Sequence, residues 1–126
     1  PRHHGHEAAG LKRVDVLCDR LKVPTAFREL ARLACQHHTN LHRAFELRAD
    51  TLLELLERCD ALRRPERFAE LLLACQIDAQ GRSGRAETPY PQAEYVARVR
   101  EAAAAIVPTE AEREPRQRPT RDQGIE

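Results

Sequence analysis

The hydrophobic positions of the chain fall on helical stripes separated by prolines and polar breaks. Over residues 7–22, Leu11, Val14, Leu17, Cys18 and Leu21 recur at helical spacing and predict a first amphipathic helix. Pro24 breaks it, and Thr25 is placed to cap the next. The second stripe is Phe27, Leu30, Ala31 and Ala34, which predicts a helix over residues 26–38. A further step of four lands on His38, where another Leu would be expected, while His37 falls on the flank with Leu33. Residues 39–48 read as a connection.

A third helix opens at Asp50 or just before it, with Leu52, Leu55, Leu56, Cys59 and Leu62 on one face. Arg63-Arg64-Pro65 is a turn, and Pro65 suits the first position of a fourth helix because its fixed φ is helical and its missing N–H is not needed there. That helix points Phe68, Leu71, Leu72 and Cys75 inward, and the next position on the stripe is Asp78. Residues 81–85 then form a flexible basic loop. After Pro89-Tyr90-Pro91, a fifth helix is predicted over residues 92–106, with Val96, Val99, Ala103 and Ile106 on its inner face. The pattern therefore predicts an all-α fold, about five helices in a compact orthogonal bundle over residues 1–108. Residues 109–126 are rich in Pro and charge and nearly without apolar residues. Such a composition buries too little surface to offset ordering entropy, so this stretch is predicted to be a disordered tail.

Composition narrows the functional classes. The 126 residues set a single domain as the prior, and 33% charged with 4% aromatic residues favours helix. The 21 basic and 20 acidic side chains nearly cancel, so any nucleic-acid contact must come from a local patch. No apolar run approaches a membrane span. Cys18, Cys35, Cys59 and Cys75 lie on or beside the apolar stripes without Cys-x-x-Cys spacing. They read as small buried hydrophobes of a protein in a reducing, cytoplasmic setting. The first residue is Pro1 and there is no Met, which suggests a fragment whose upstream part is absent; helices that packed on that part would expose apolar surface.

Histidine supplies the candidate chemistry. His3, His4 and His6 cluster at the start, and His37, His38 and His42 cluster one helix length later. The inward polar residues are His6, His38 and Asp78, from three different helices. Two imidazoles and a carboxylate suit a divalent transition metal. The structural alternative is that both histidines bond to backbone and Asp78 pairs with an arginine. His4, His37 and His42 are weaker candidates, read as exposed or supporting groups. Arg82 and Arg85 could hold phosphate or belong to a solvated loop. Arg63, Arg64 and Arg67 form a second basic cluster, either a solvated helix start or a contact to an RNA backbone.

Several runs, taken in order, carry a resemblance. They are His3-His4-Gly5-His6-Glu7-Ala8-Ala9-Gly10, Leu21-Lys22-Val23-Pro24, Arg28-Glu29-Leu30-Ala31 and His37-His38. The segment Leu52 to Leu56 follows, then Asp60-Ala61-Leu62-Arg63-Arg64-Pro65-Glu66-Arg67, Asp78-Ala79-Gln80-Gly81-Arg82 and Pro89-Tyr90-Pro91-Gln92. Together they resemble the C-terminal HD domain of bacterial CCA-adding tRNA nucleotidyltransferases, over residues 1–108. The resemblance implies a parent enzyme that adds or repairs the CCA end of tRNA from CTP and ATP, with Mg²⁺ in an N-terminal domain not present here. It also implies an HD domain with metal-dependent phosphohydrolase activity on 2′,3′-cyclic phosphodiesters, 2′-nucleotides and phosphate esters, with Ni²⁺, Co²⁺, Mg²⁺ or a similar divalent metal.

By motif, His6 and His38 match metal-ligand histidines, with His4 and His37 as weaker matches, and Asp78 matches the final Asp. The His-Asp pair that names the domain would lie upstream of Pro1. Thr39 stands where relatives often have Asp. With those ligands missing, the segment by itself is expected to be inactive. The implied partners are tRNA and a homodimer mate. The reading from another class is a non-catalytic helical module that contacts tRNA or dimerises.

Deleting residues 109–126 is expected to change folding stability by no more than about 0.5 kcal/mol, as for surface changes away from packed features. A clear fall in melting temperature on truncation would show instead that the tail docks.

Overall fold

The computed structural model describes residues 2–106, with side chains described from residue 8. It is all-α among the described residues. The helices are α1 (Arg2–Leu21), α2 (Thr25–His42), α3 (Ala49–Arg58), α4 (Pro65–Ser83) and α5 (Pro91–Ile106), with a 3₁₀ turn at Ala44–Glu46 between α2 and α3. The predicted tail lies outside the described residues.

Helix ends follow local chemistry. Lys22 adopts a left-handed φ of 54° after α1, so Val23 N–H reaches the Cys18 carbonyl at 3.0 Å and Lys22 N–H reaches Asp19. This is a Schellman closure built on a lysine instead of glycine, and Pro24 prevents the helix from resuming. Asp60 (φ 55°) closes α3 in the same way, with Ala61 N–H on the Leu56 carbonyl at 2.9 Å. Gly84 ends α4 in the left-handed region at φ 78°, where a glycine carries no Cβ penalty. α4 therefore continues through Gly81 and Arg82, which the sequence pattern assigned to a loop. Thr25 is the first residue of α2 rather than its cap, and Pro24 occupies the cap position without a side-chain hydrogen bond.

The core gathers the C-terminal end of α2, the 3₁₀ turn, α3, α4 and α5. Leu41, Ala44, Leu52, Leu55, Leu56, Cys59, Ala61, Phe68, Leu71, Leu72, Cys75 and Val96 form one buried cluster. The α3 and α4 stripes are buried as their spacing predicts, with Leu62 half-buried. Cys18, Cys59 and Cys75 are buried as free thiols, and Cys35 is half-buried. Burial pushes the thiols of Cys59 and Cys75 up, to about 11 and about 12, so both pack as uncharged small hydrophobes.

Three further expectations fail. α2 does not end at His38. It runs four residues further, because Leu41, completely buried, continues the apolar face and no Pro or Gly interrupts residues 39–42. Leu17, Leu21 and Phe27 are 54%, 66% and 64% exposed rather than inward. Ile106 likewise lies open at the end of α5. The exposure of Leu17 and Leu21 has one cause: α1 packs principally on α2 and not on the main core, so its outer face has no neighbour among the described residues.

α1 and α2 form an antiparallel hairpin. Arg28 bonds Asp19 at 2.7 Å and also pairs with Asp15, and Arg32 pairs with Asp15. The two arginines hold Asp15 below the usual carboxylate range, the Arg32 hydrogen bond first. Beyond these ion pairs the helices close at Gly10, where an added Cβ would lie 2.7 Å from the Cys35 sulfur. Here the missing side chain lets the two helices touch.

Gly10→Ala should therefore lose about 1–3 kcal/mol to overpacking, against a gain of about 1 kcal/mol in helix propensity. We expect net destabilisation in the native chain and net stabilisation in a Cys35→Ala background, read as urea midpoints. The same sign in both backgrounds would show that the Cys35 contact does not set the helix spacing.

Candidate functional site

The extension of α2 creates the site. His38 and His42 are one turn apart on the same face, and their rings meet edge-on with centroids 5.6 Å apart. α4 brings Asp78 to that face. His42 Nε2 lies 3.0 Å from Asp78 Oδ2, and His42 Nδ1 lies 2.7 Å from the Tyr90 hydroxyl. Tyr90 comes from the segment before α5, and Gln92 Nε2 donates to the His42 backbone carbonyl at 2.8 Å. That bond satisfies a carbonyl at the C-terminal end of α2 that has no partner within the helix. It also fixes the start of α5 against the site.

The proton positions follow from the partners. Desolvation, with Cys75 and Asp78 nearby, raises the Tyr90 phenol well above its ordinary range, so it keeps its proton. With neutral imidazole, Tyr90 O–H donates to His42 Nδ1, and His42 Nε2–H donates to Asp78. His38 Nδ1 lies 2.8 Å from the Ala34 carbonyl. A carbonyl only accepts, so Nδ1 carries the proton, and Nε2 of the neutral ring keeps its lone pair for a ligand. The hydrogen bond from His42, then the charge of Arg82, hold Asp78 below the usual carboxylate range despite partial burial.

His38 and Asp78 share a cleft of about 220 Å³ with Ala34, Cys35, Ala74 and Cys75, between α2 and α4. Thus the structure brings two of the candidates together, His38 and Asp78, and adds His42. Asp78 is only partly inward, its side chain 40% exposed. His37 lies elsewhere, in a small cleft with Asn40, Leu47, Thr51, Glu54 and Arg58. The side chains of His4 and His6 lie outside the described residues. Among the described residues no group of three or more His, Cys, Asp or Glu side chains could hold a metal ion.

The arginines divide. Arg82 sits at the cleft, its Nε 3.5 Å from Asp78 Oδ1. Arg85 is exposed in the turn after α4, its backbone N–H on Ser83 Oγ at 3.2 Å. Arg64 and Arg67 converge on Glu29 at 3.7 and 3.3 Å. Glu29 is thirteen residues before His42 on α2, roughly 20 Å along the helix.

Sequence reasoning underrated His42 and Tyr90. A connection over residues 39–48 erased the phase of His42, although its spacing of four from His38 was the signal that could have found it. Tyr90 entered only as part of a motif, and nothing in the local pattern predicts its bond to a residue 48 positions away.

These features define an all-α segment with a His–Asp constellation at a helix junction. No family model matches the chain, and no solved structure matches it. Curated relatives do. A multifunctional CCA protein of Hahella chejuensis is 54% identical over 110 residues, covering 87% of this chain and 26% of that protein. Those of Cupriavidus metallidurans and Teredinibacter turnerae are 53% and 58% identical over 84% and 75% of the chain. The chain is homologous to part of the multifunctional CCA proteins and spans about a quarter of the length of these relatives. No described helix is long and apolar enough to cross a membrane.

Asp78 offers a pH test. Its folded pKa is depressed, so its contribution is present above its ordinary value of 3.8 and is lost as pH falls through the folded pKa. Asp78→Asn should cost on the order of 1 kcal/mol near pH 6, after discounting for partial exposure, and progressively less as pH falls below 3.8 and through the folded pKa. Urea melts at several pH values check this. A deficit that does not shrink as the carboxylate is protonated would show that its charge is not what His42 holds.

Proposed function

We propose that this chain is the HD-type phosphohydrolase segment of a multifunctional CCA protein, a tRNA nucleotidyltransferase that builds the CCA end of tRNA from CTP and ATP. The observation that carries the reading is the meeting of His38 and Asp78 in one cleft, within a stretch more than half identical to those relatives. The substrates on this reading are 2′,3′-cyclic phosphodiesters, 2′-nucleotides and phosphate esters.

The donor chemistry fits a divalent transition metal in part. His38 Nε2 and the Asp78 carboxylate are a nitrogen and an oxygen donor on facing helices. The third donor on this reading is His6. The hairpin supports that: Asp19 is level with Arg28, Asp15 with Arg32, and Gly10 with Cys35, so position 6 falls level with the last turn of α2. A bound divalent metal supplies Lewis acidity toward a phosphoryl oxygen and lowers the pKa of a water.

The chain's own residues do the rest. Ala34 fixes the tautomer of His38, and the Tyr90–His42 pair orients Asp78. Such supporting partners typically change metal affinity by about 10–100-fold. Arg82, ion-paired with Asp78 Oδ1 at 3.5 Å, is placed to neutralise charge on a phosphate in the cleft.

No His-Asp dipeptide occurs in the 126 residues, so the ligand set is incomplete on this reading. We expect calorimetry to show weak binding of Ni²⁺ and Co²⁺ by this chain, and a 2′,3′-cyclic nucleotide assay to show no turnover. The longer protein should do both, and His38→Ala in it should abolish hydrolysis. Turnover by this chain alone would mean the ligands are misplaced, and an active His38→Ala protein would make the histidines structural.

A further inference from the structure

The outer face of α1 has no role in the site. Ala9, Lys12, Arg13, Val16, Leu17 and Arg20 line one groove along it, at the spacing of a single helical face. Val16 and Leu17 are 52% and 54% exposed, and Leu21 continues the face at 66%. Among the described side chains of α1 the charges are segregated. Asp15 and Asp19 turn to Arg28 and Arg32 of α2, while no carboxylate lines the outer groove. Among the described residues, Lys12, Arg13 and Arg20 make no ion pair. The result is an aliphatic floor ringed by three cations.

We propose that this groove is the seat of an amphipathic helix whose apolar stripe is flanked by Asp or Glu, supplied by the part of the longer polypeptide outside the matched quarter. This rests on the reading of the chain as a segment of a multifunctional CCA protein. Charge selects against a second copy: antiparallel pairing of two such faces centred on Val16 sets Lys12 and Arg13 against Arg20. The floor selects against nucleic acid, because Val16 and Leu17 offer phosphates no hydrogen bond. Size selects for a tethered helix. A few aliphatic side chains are far fewer than the roughly 20–30 residues a side of a stable interface between separate proteins. A segment held at millimolar effective concentration by its own chain needs much less.

The test is thiol alkylation mapped by mass spectrometry in the full-length protein, with Val16→Cys as probe and Glu70→Cys, on the exposed surface of α4, as reference. We expect Val16→Cys to react at least tenfold more slowly than Glu70→Cys in the full-length protein, and at a similar rate in the 126-residue chain. Adding Arg13→Glu and Arg20→Glu should release the probe, whereas Arg13→Lys and Arg20→Lys should keep it protected. Equal rates in the full-length protein would overturn the proposal, as would protection indifferent to charge reversal. Protection that appears only with added tRNA would assign the face to nucleic acid, and protection that grows with protein concentration would assign it to a second copy; either outcome overturns it. The readout needs no turnover, so loss of the hydrolase reading leaves this result standing, and the reverse.

Discussion

The burial of Leu41 is the constraint on which the rest of the structure depends. Leu41 is fully inaccessible in the cluster with Phe68, Leu71 and Val96. Burying a leucine contributes about 1.5–3 kcal/mol, more than the small propensity cost of keeping Thr39 and Asn40 helical. So α2 continues one turn past the point where its earlier stripe could end. That turn carries His42 to Asp78 and Tyr90, and its last carbonyl receives Gln92. A packing requirement on one face of the helix thereby builds the polar constellation beside it.

The same dependence explains what the sequence made legible. The stripes of α3 and α4 face one core, so those stripes, the Pro65 start and the buried cysteines could be read directly, although Leu53, Leu73 and Ile77 lie exposed on the same two helices. α1 could not be read so simply. Its apolar residues spread around more than one face: Cys18 is buried toward α2, while Val16, Leu17 and Leu21 point away from it. Periodicity reports that a helix has an apolar side; it does not report whether a neighbour covers that side. Phe27 fails for the same reason, at the turn end of the hairpin. The expectation of exposed apolar surface on the early helices agrees with what these residues show. Of the candidate site, Asp78 and His38 were visible as polar breaks in apolar stripes. The His42–Tyr90 link was not, because it joins residues that only the packing of α5 on α2 brings together.

Ion pairs play different parts in the two halves. In the hairpin, Asp15, Asp19, Arg28 and Arg32 are half-exposed to exposed. Exposed pairs contribute about 0–1 kcal/mol each, so these set the pairing of α1 with α2 more than they stabilise it. Their larger consequence is what they leave over: with Asp15 and Asp19 engaged, the described side chains that α1 turns outward are aliphatic and cationic. At the cleft, by contrast, the Asp78 carboxylate is held by a hydrogen bond from an imidazole that is itself fixed by a phenol. There the polar groups are positioned with little freedom, which is what a binding or reactive site needs and what a surface ion pair lacks.

The end of α2 adds a field to this geometry. A helix C-terminus carries about half a negative charge from its unpaired carbonyls, felt over the last turn. His38 and His42 lie in or next to that turn, and Asp78 adds a full charge from α4. Both favour a cation in the cleft. Arg82 is the cation already there, at 3.5 Å from Asp78 and 67% exposed. A pair so exposed has little net strength, so the guanidinium can swing away at small cost when another positive group enters. Asp78 Oδ2, by contrast, is engaged by His42 and stays in place. The two carboxylate oxygens are thus divided between a fixed partner and an exchangeable one. That division lets the cleft change its charge without disturbing the packed chain of Tyr90, His42 and Asp78 behind it.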